Sequence, residues 1–215
     1  MKRFPTSLLL AMVIAFAASA QQPAGPPRTP PSPHGSAATQ VAGKWVEEKP
    51  GTDARYRDGK WITVEYSRPI LKGRTDVFGK GAAYGKTVNA GAPVWRAGAN
   101  ATTRLKTEVP LVLAGKTIPV GEYSIFIELK EASWTFILST QTALVKYDPK
   151  EKSGTWGSDN YDPKFDLVRV PMKRMTQSLS FDELTWTFVD MTQQGGSLAL
   201  WWGKDLATVA FKVAP

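Results

Sequence analysis

The chain has no cysteine and a single histidine, His34, among its 215 residues. Without cysteine there is no disulfide, no thiol nucleophile and no sulfur to carry a lipid anchor, so stability has to come from packing. One histidine excludes the histidine clusters of zinc and cupin-like sites. It leaves a histidine-based triad only if His34 folds back onto the domain. No metal, no cofactor and no catalytic residue is expected from this inventory.

Long apolar runs are almost as scarce. The one run, Leu8 to Ala17, follows Lys2 and Arg3, precedes Ala18-Ser19-Ala20, and is well short of the roughly 20 residues a membrane span needs. That pattern predicts a signal peptide over residues 1–20, cut after Ala20. The expectation is an exported protein, periplasmic or extracellular, with no membrane span once the peptide is removed. Basic runs are missing too. The 27 Lys and Arg residues are interleaved with 19 Asp and Glu, for a formal charge of +8. Nucleic acid is therefore not an expected partner. The surplus instead favours anionic small molecules or envelope polymers.

A phosphate loop is absent despite appearances. Phe78 to Thr87 reads FGKGAAYGKT, but the spacing G-x-x-x-x-G-K-[ST] puts Lys80 where its first glycine belongs. Gly79 and Gly81 miss that position on either side, and no helix-favouring run follows Thr87.

What the chain does have is proline at one end and alternation everywhere else. Gln21 to His34 holds six prolines and almost nothing apolar, which predicts an extended tether over residues 21–39 and a domain over 40–215. From there the dominant period is two. Ile62, Val64 and Tyr66 alternate with Trp61, Thr63 and Glu65, and Tyr123, Ile125, Ile127 and Leu129 alternate with Ser124, Phe126 and Glu128. Trp134, Phe136 and Leu138, then Trp186 and Phe188, then Leu198, Leu200 and Trp202, then Val209, Phe211 and Val213 continue the pattern. Such stretches are half-buried antiparallel strands. Asp58-Gly59, Ala114-Gly115, the IPVG stretch Ile118 to Gly121 and the QQGG stretch ending at Gly196 supply turns. No convincing helix is visible. The fold class is all-β: an antiparallel β-sandwich or jelly roll, with a closed barrel as the alternative. Two segments, Arg68 to Pro93 and Thr140 to Lys164, fit no strand and exceed ordinary loop length, which marks them for function.

The order of short motifs resembles a known family. YSRPILKGR (Tyr66 to Arg74), FG (Phe78, Gly79), YGK (Tyr84 to Lys86), VWRAGAN (Val94 to Asn100) with Thr102 and Thr103, and IPVGEYSIF (Ile118 to Phe126) run in sequence. SPH (Ser32 to His34), WT (Trp134, Thr135), WG (Trp156, Gly157) and D-x-x-R-V (Asp166 to Val170) complete the likeness. This is similar to the family named domain of unknown function 2911, of exported bacterial proteins. The resemblance implies an exported, mostly β domain and no particular activity. The chain departs from the family by inserting Thr87 to Pro93 between YGK and VWR, and by a long segment, Ala37 to Asp58, before the first matched strand.

Within those motifs Arg68, Lys72, Arg74 and Arg96 are four cations suited to carboxylate or phosphate. The opposing reading pairs each with a carboxylate such as Glu65, Asp76 or Glu108. Trp134, Trp186 and Trp202 fall on apolar faces and are expected in the core, whereas Trp61 and Trp201 fall on the opposite faces. Trp95 and Trp156, in or beside the long loops, are free to stack on flat ligands or to pack under lids. The acidic residues Asp148, Glu151, Asp159, Asp162 and Asp166 lack the glycine and spacing of a calcium loop. Asn100 to Thr102 fits a glycosylation pattern and is read as turn geometry. The expected function is a non-catalytic binding or envelope-associated module for an anionic or carbohydrate ligand. Its surface comprises Arg68, Lys72, Arg74, Trp95, Arg96, Asn100, Trp156 and Tyr161. The alternative is a hydrolase of envelope polysaccharide using two carboxylates drawn from Glu65, Glu122, Glu128, Asp182 and Glu183.

Overall fold

The computed structural model describes residues 32–214. The expected signal peptide, its expected cleavage site and the expected tether up to residue 31 lie outside the described residues. Twelve strands follow in chain order: β1 His34–Val41, β2 Lys44–Val46, β3 Arg55–Arg57, β4 Lys60–Ser67, β5 Thr103–Thr107, β6 Leu111–Leu113, β7 Lys116–Ile118, β8 Gly121–Lys130, β9 Ser133–Ser139, β10 Asp166–Pro171, β11 Lys173–Thr192 and β12 Gly195–Val213. All pairings between them are antiparallel. They form a six-stranded sheet in the order β1-β4-β5-β8-β9-β10, a four-stranded sheet in the order β11-β12-β6-β7, and a small ribbon of β2 and β3. The fold is an all-β, sandwich-like domain.

The alternation sorts side chains as the period of two requires. Ile62, Val64, Ile125, Ile127, Phe136 and Leu138 of the larger sheet are buried against Trp186, Leu198, Leu200, Trp202 and Val209 of the smaller one. The other face of the larger sheet carries ion pairs, Arg104 with Glu65 and Glu122, and Arg169 with Glu128 and Asp166. The Ala114-Gly115 turn between β6 and β7 has both residues at positive φ (47° and 82°), which gives the twist a two-residue hairpin needs.

Two expectations need correction. The domain starts at His34 rather than near Gln40, because β1 pairs with β4 from His34↔Ser67 to Val41↔Lys60. Its small polar side chains hide it from a hydrophobic pattern; backbone hydrogen bonds on a sheet edge hold it. Exposed His34 stands at the start of that edge strand. The second correction is a single helical turn, α1, Lys86–Asn89, entered through Gly85 at φ 75°.

The β11–β12 hairpin is not a flat ribbon. Its register shifts between Thr176 and Phe181 and again between Phe181 and Thr185. At the second shift β11 pairs with the RPIL motif instead: Leu71 N–H donates to Asp182 C=O at 2.8 Å and Leu184 N–H to Pro69 C=O at 2.9 Å. The bulges bend the hairpin. Its tip then returns to the far end of β12, where Val213 N–H donates to Gln194 C=O at 2.8 Å.

Candidate functional site

Phe78, from the FG motif, is inserted among aromatic rings at the end of the sandwich. It meets Trp134, Trp95 and Trp202 edge-on at centroid distances of 4.7, 5.5 and 5.8 Å, and lies near-parallel to Tyr84 at 6.2 Å. The loop that delivers it closes on itself, with Gly85 N–H donating to Phe78 C=O at 2.6 Å. Gly79 sits at φ 73°, where a side chain would also crowd the Ala83 carbonyl. The glycines of FGKGAAYGKT thus serve a tight surface loop.

Above this cluster is a cleft of about 310 Å³. Its apolar floor comes from Leu71, Phe78, Tyr84 and Trp202, and its rim from Arg74, Lys80, Glu131, Arg174 and Asp205. Arg74 is held by its own loop: its Nε and Nη2 donate to the carbonyls of Leu71 and Ile70 at 2.8 and 2.7 Å. The guanidinium stands 5.8 Å from the Trp202 ring. Among the described residues it makes no ion pair, so Asp76 does not neutralise it. Arg174 lies over Trp134 at 4.9 Å and over Tyr84 at 5.8 Å. It donates to Asp205 Oδ1 at 2.8 Å and to the Glu131 carbonyl at 2.8 Å. Glu131 in turn accepts from Gly81 N–H at 2.8 Å. The Tyr84 hydroxyl accepts from Trp134 Nε1 at 2.8 Å, which leaves its proton free to donate. Burial pushes the Tyr84 pKa up, so the hydroxyl stays protonated at neutral pH.

A protein-family model matches residues 50–211, described as a protein of unknown function (DUF2911). The chain belongs to that family. Neither a curated protein nor a solved structure matches it. In this DUF2911 protein the motifs RPILKGR, FG and YGK therefore meet at one place, around the cleft.

The eight residues expected to share a surface are divided by the structure. Trp95 is a core residue, 1 % exposed. It continues the ladder beyond β5, exchanging two 2.8 Å hydrogen bonds with Ile127, and stacks on Trp202 at 6.0 Å. Alternation could not reveal this, because the Trp95 segment joins the sheet for one residue only. Arg68 is paired with Glu183 at 2.6 Å, and Lys72 is exposed without an ion pair among the described residues. Only Arg74 reaches the cleft.

Arg96, Asn100 and Trp156 gather elsewhere, where VWRAGAN meets the second long loop. A side chain on Gly157 would lie 2.9 Å from both Arg96 Nη1 and the Asn100 carbonyl, and the Thr102 hydroxyl lies 3.0 Å from the carbonyls of Thr155 and Gly157. Burial lowers the Arg96 pKa, with Asp159 partly offsetting it. Trp156 lines a separate hollow of about 260 Å³ with Tyr147 and Lys152. Tyr161 packs edge-on against Phe126 at 4.9 Å and donates to Asp166 at 2.6 Å, pinning the loop to the outer face of the larger sheet.

Of the five carboxylates considered for hydrolysis, Glu65 and Glu122 are bound by Arg104, Glu128 by Arg169 and Glu183 by Arg68. Those four are structural ion pairs. The acidic loop residues Asp148, Glu151 and Asp162 accept from the backbone N–H two residues on, which is turn chemistry. What the sequence reading missed is Arg174, Glu131 and Asp205. They lie outside the long loops, and only the strand pairing brings them to the rim.

Proposed function

We propose that this DUF2911 domain is a non-catalytic, exported binding module that takes a carbohydrate of the cell envelope in the Arg74 cleft. Export rests on the N-terminal sequence pattern. The observation that carries the binding reading is Arg74, a cation oriented by two backbone carbonyls beside Trp202 and facing the Arg174–Asp205 pair. Donors and acceptors of both signs around an apolar floor suit a polyhydroxylated ligand better than a simple anion, because hydroxyls donate and accept while the ring's apolar face covers aromatic carbon. Arg74 and Tyr84 would donate; Asp205 and Glu131 would accept.

The test is a glycan array probed with the purified chain, followed by calorimetry on any glycan retained. Arg74→Ala is expected to weaken binding about tenfold or more, as for loss of a charge-assisted hydrogen bond. Retention of no glycan, or equal binding by the variant, overturns the reading. Release of a shortened product, abolished by Glu131→Gln or Asp205→Asn, would replace it with hydrolysis.

A further inference from the structure

The bent β11–β12 hairpin has a second face, turned away from the core, and that face is wrong for water. On an ordinary exposed sheet face, alternate residues are polar or charged. Here Thr187, Val189, Ala199, Trp201, Leu206 and Thr208 line a cavity of about 900 Å³, and Lys173 and Asp190 are the only ionisable residues of its lining. The bulges and the Gln194–Val213 closure turn what would be a flat surface into a trough. Small side chains at positions 199 and 208 leave its space unfilled. At the corner, Phe181 and Trp201 stack at 4.0 Å with 15° between their planes and form an apolar lip beside Leu179, which is 68 % exposed.

We propose that this trough binds a free long-chain carboxylate, its alkyl chain along the hairpin and its head at Lys173. The volume falls within the roughly 300–1,000 Å³ usual for ligand sites. The head is assigned by charge. Lys173 makes no ion pair among the described residues, whereas Asp190 also lines the neighbouring hollow that holds Lys212 and so has a cation nearby. An ammonium with no ion pair among the described residues, in a trough whose only other ionisable lining residue is Asp190, matches an amphipath with an anionic end, and a purely apolar ligand would leave it unused. This site lies on a different face from the Arg74 cleft and does not depend on it.

The experiment is displacement of a fluorescent fatty acid, cis-parinarate, from the full chain by palmitate. Saturable one-to-one binding is expected, with affinity rising about fourfold per added methylene along a laurate-to-palmitate series. Ala199→Phe and Thr187→Phe fill the trough at two places and should each reduce palmitate affinity more than tenfold; melting curves separate this from unfolding. Lys173→Gln should weaken palmitate severalfold and leave hexadecanol unchanged. Absence of saturable displacement, indifference to both fillers, or equal loss for palmitate and hexadecanol overturns the proposal. So does finding that the trough is closed by a second copy, seen as a dimer that the fillers dissociate.

Discussion

At the scale of single residues, Trp95 and Arg96, neighbours in the chain, differ in what they hold together. The indole N–H groups of Trp95, Trp134, Trp186 and Trp202 each donate to a carbonyl or to the Tyr84 hydroxyl, so their rings are buried without an orphaned donor; half-buried Trp201 donates to the Gly203 carbonyl. Trp95 is the sharpest case, since it is at once a rung of the sheet and a stack on Trp202. Trp95→Ala is expected to cost about 3–5 kcal/mol in urea unfolding, as for other buried aromatics. A residue serving only a ligand would cost little. Arg96 should behave in the reverse way. It has no ion pair among the described residues, and its stem packs by Gly157, so Arg96→Met should stay within about 1 kcal/mol of wild type in the same measurement.

At the scale of elements, the bent hairpin decides where open space lies. Gly195, at φ 141°, sits where any Cβ would collide with the Phe211 carbonyl oxygen. Gly195→Val should therefore push the tip off β12, costing about 2 kcal/mol or more. Hydrogen exchange at the Val213 amide should rise with it. Much of the strand content was legible because alternation is a local property: Trp134, Trp186 and Trp202 fall on the core side as their spacing requires. β1 was not, since GSAATQ buries almost nothing and is defined by its partner. Nor was the trough. Its existence depends on shifts at Thr176–Phe181 and Phe181–Thr185, the second of them met by Pro69 to Leu71, more than a hundred residues earlier. The cleft was half legible, in Arg74 and the FG and YGK motifs; its other wall comes from strand residues that carry no motif.

At the scale of the whole molecule, four tyrosines tie the domain to its protonated state. Burial raises the pKa of Tyr66, Tyr84, Tyr123 and Tyr161, and at Tyr161 the Asp166 carboxylate adds to it. Above about pH 10 an unfolded chain loses those protons while the folded one keeps them, so unfolding releases protons and stability falls as pH rises. The melting temperature should be flat from pH 8 to 9.5 and decline beyond it. Tyr161→Phe should soften the decline. The smaller sheet also joins distant stretches, with Lys212 beside Val112 and Val213 beside Leu111. Until that pairing forms, one flank of β6 stays unclaimed and the tip of the hairpin has nothing to close upon. Assembly of this domain thus waits on partners about a hundred residues apart, and refolding should be slow, on the order of milliseconds to seconds.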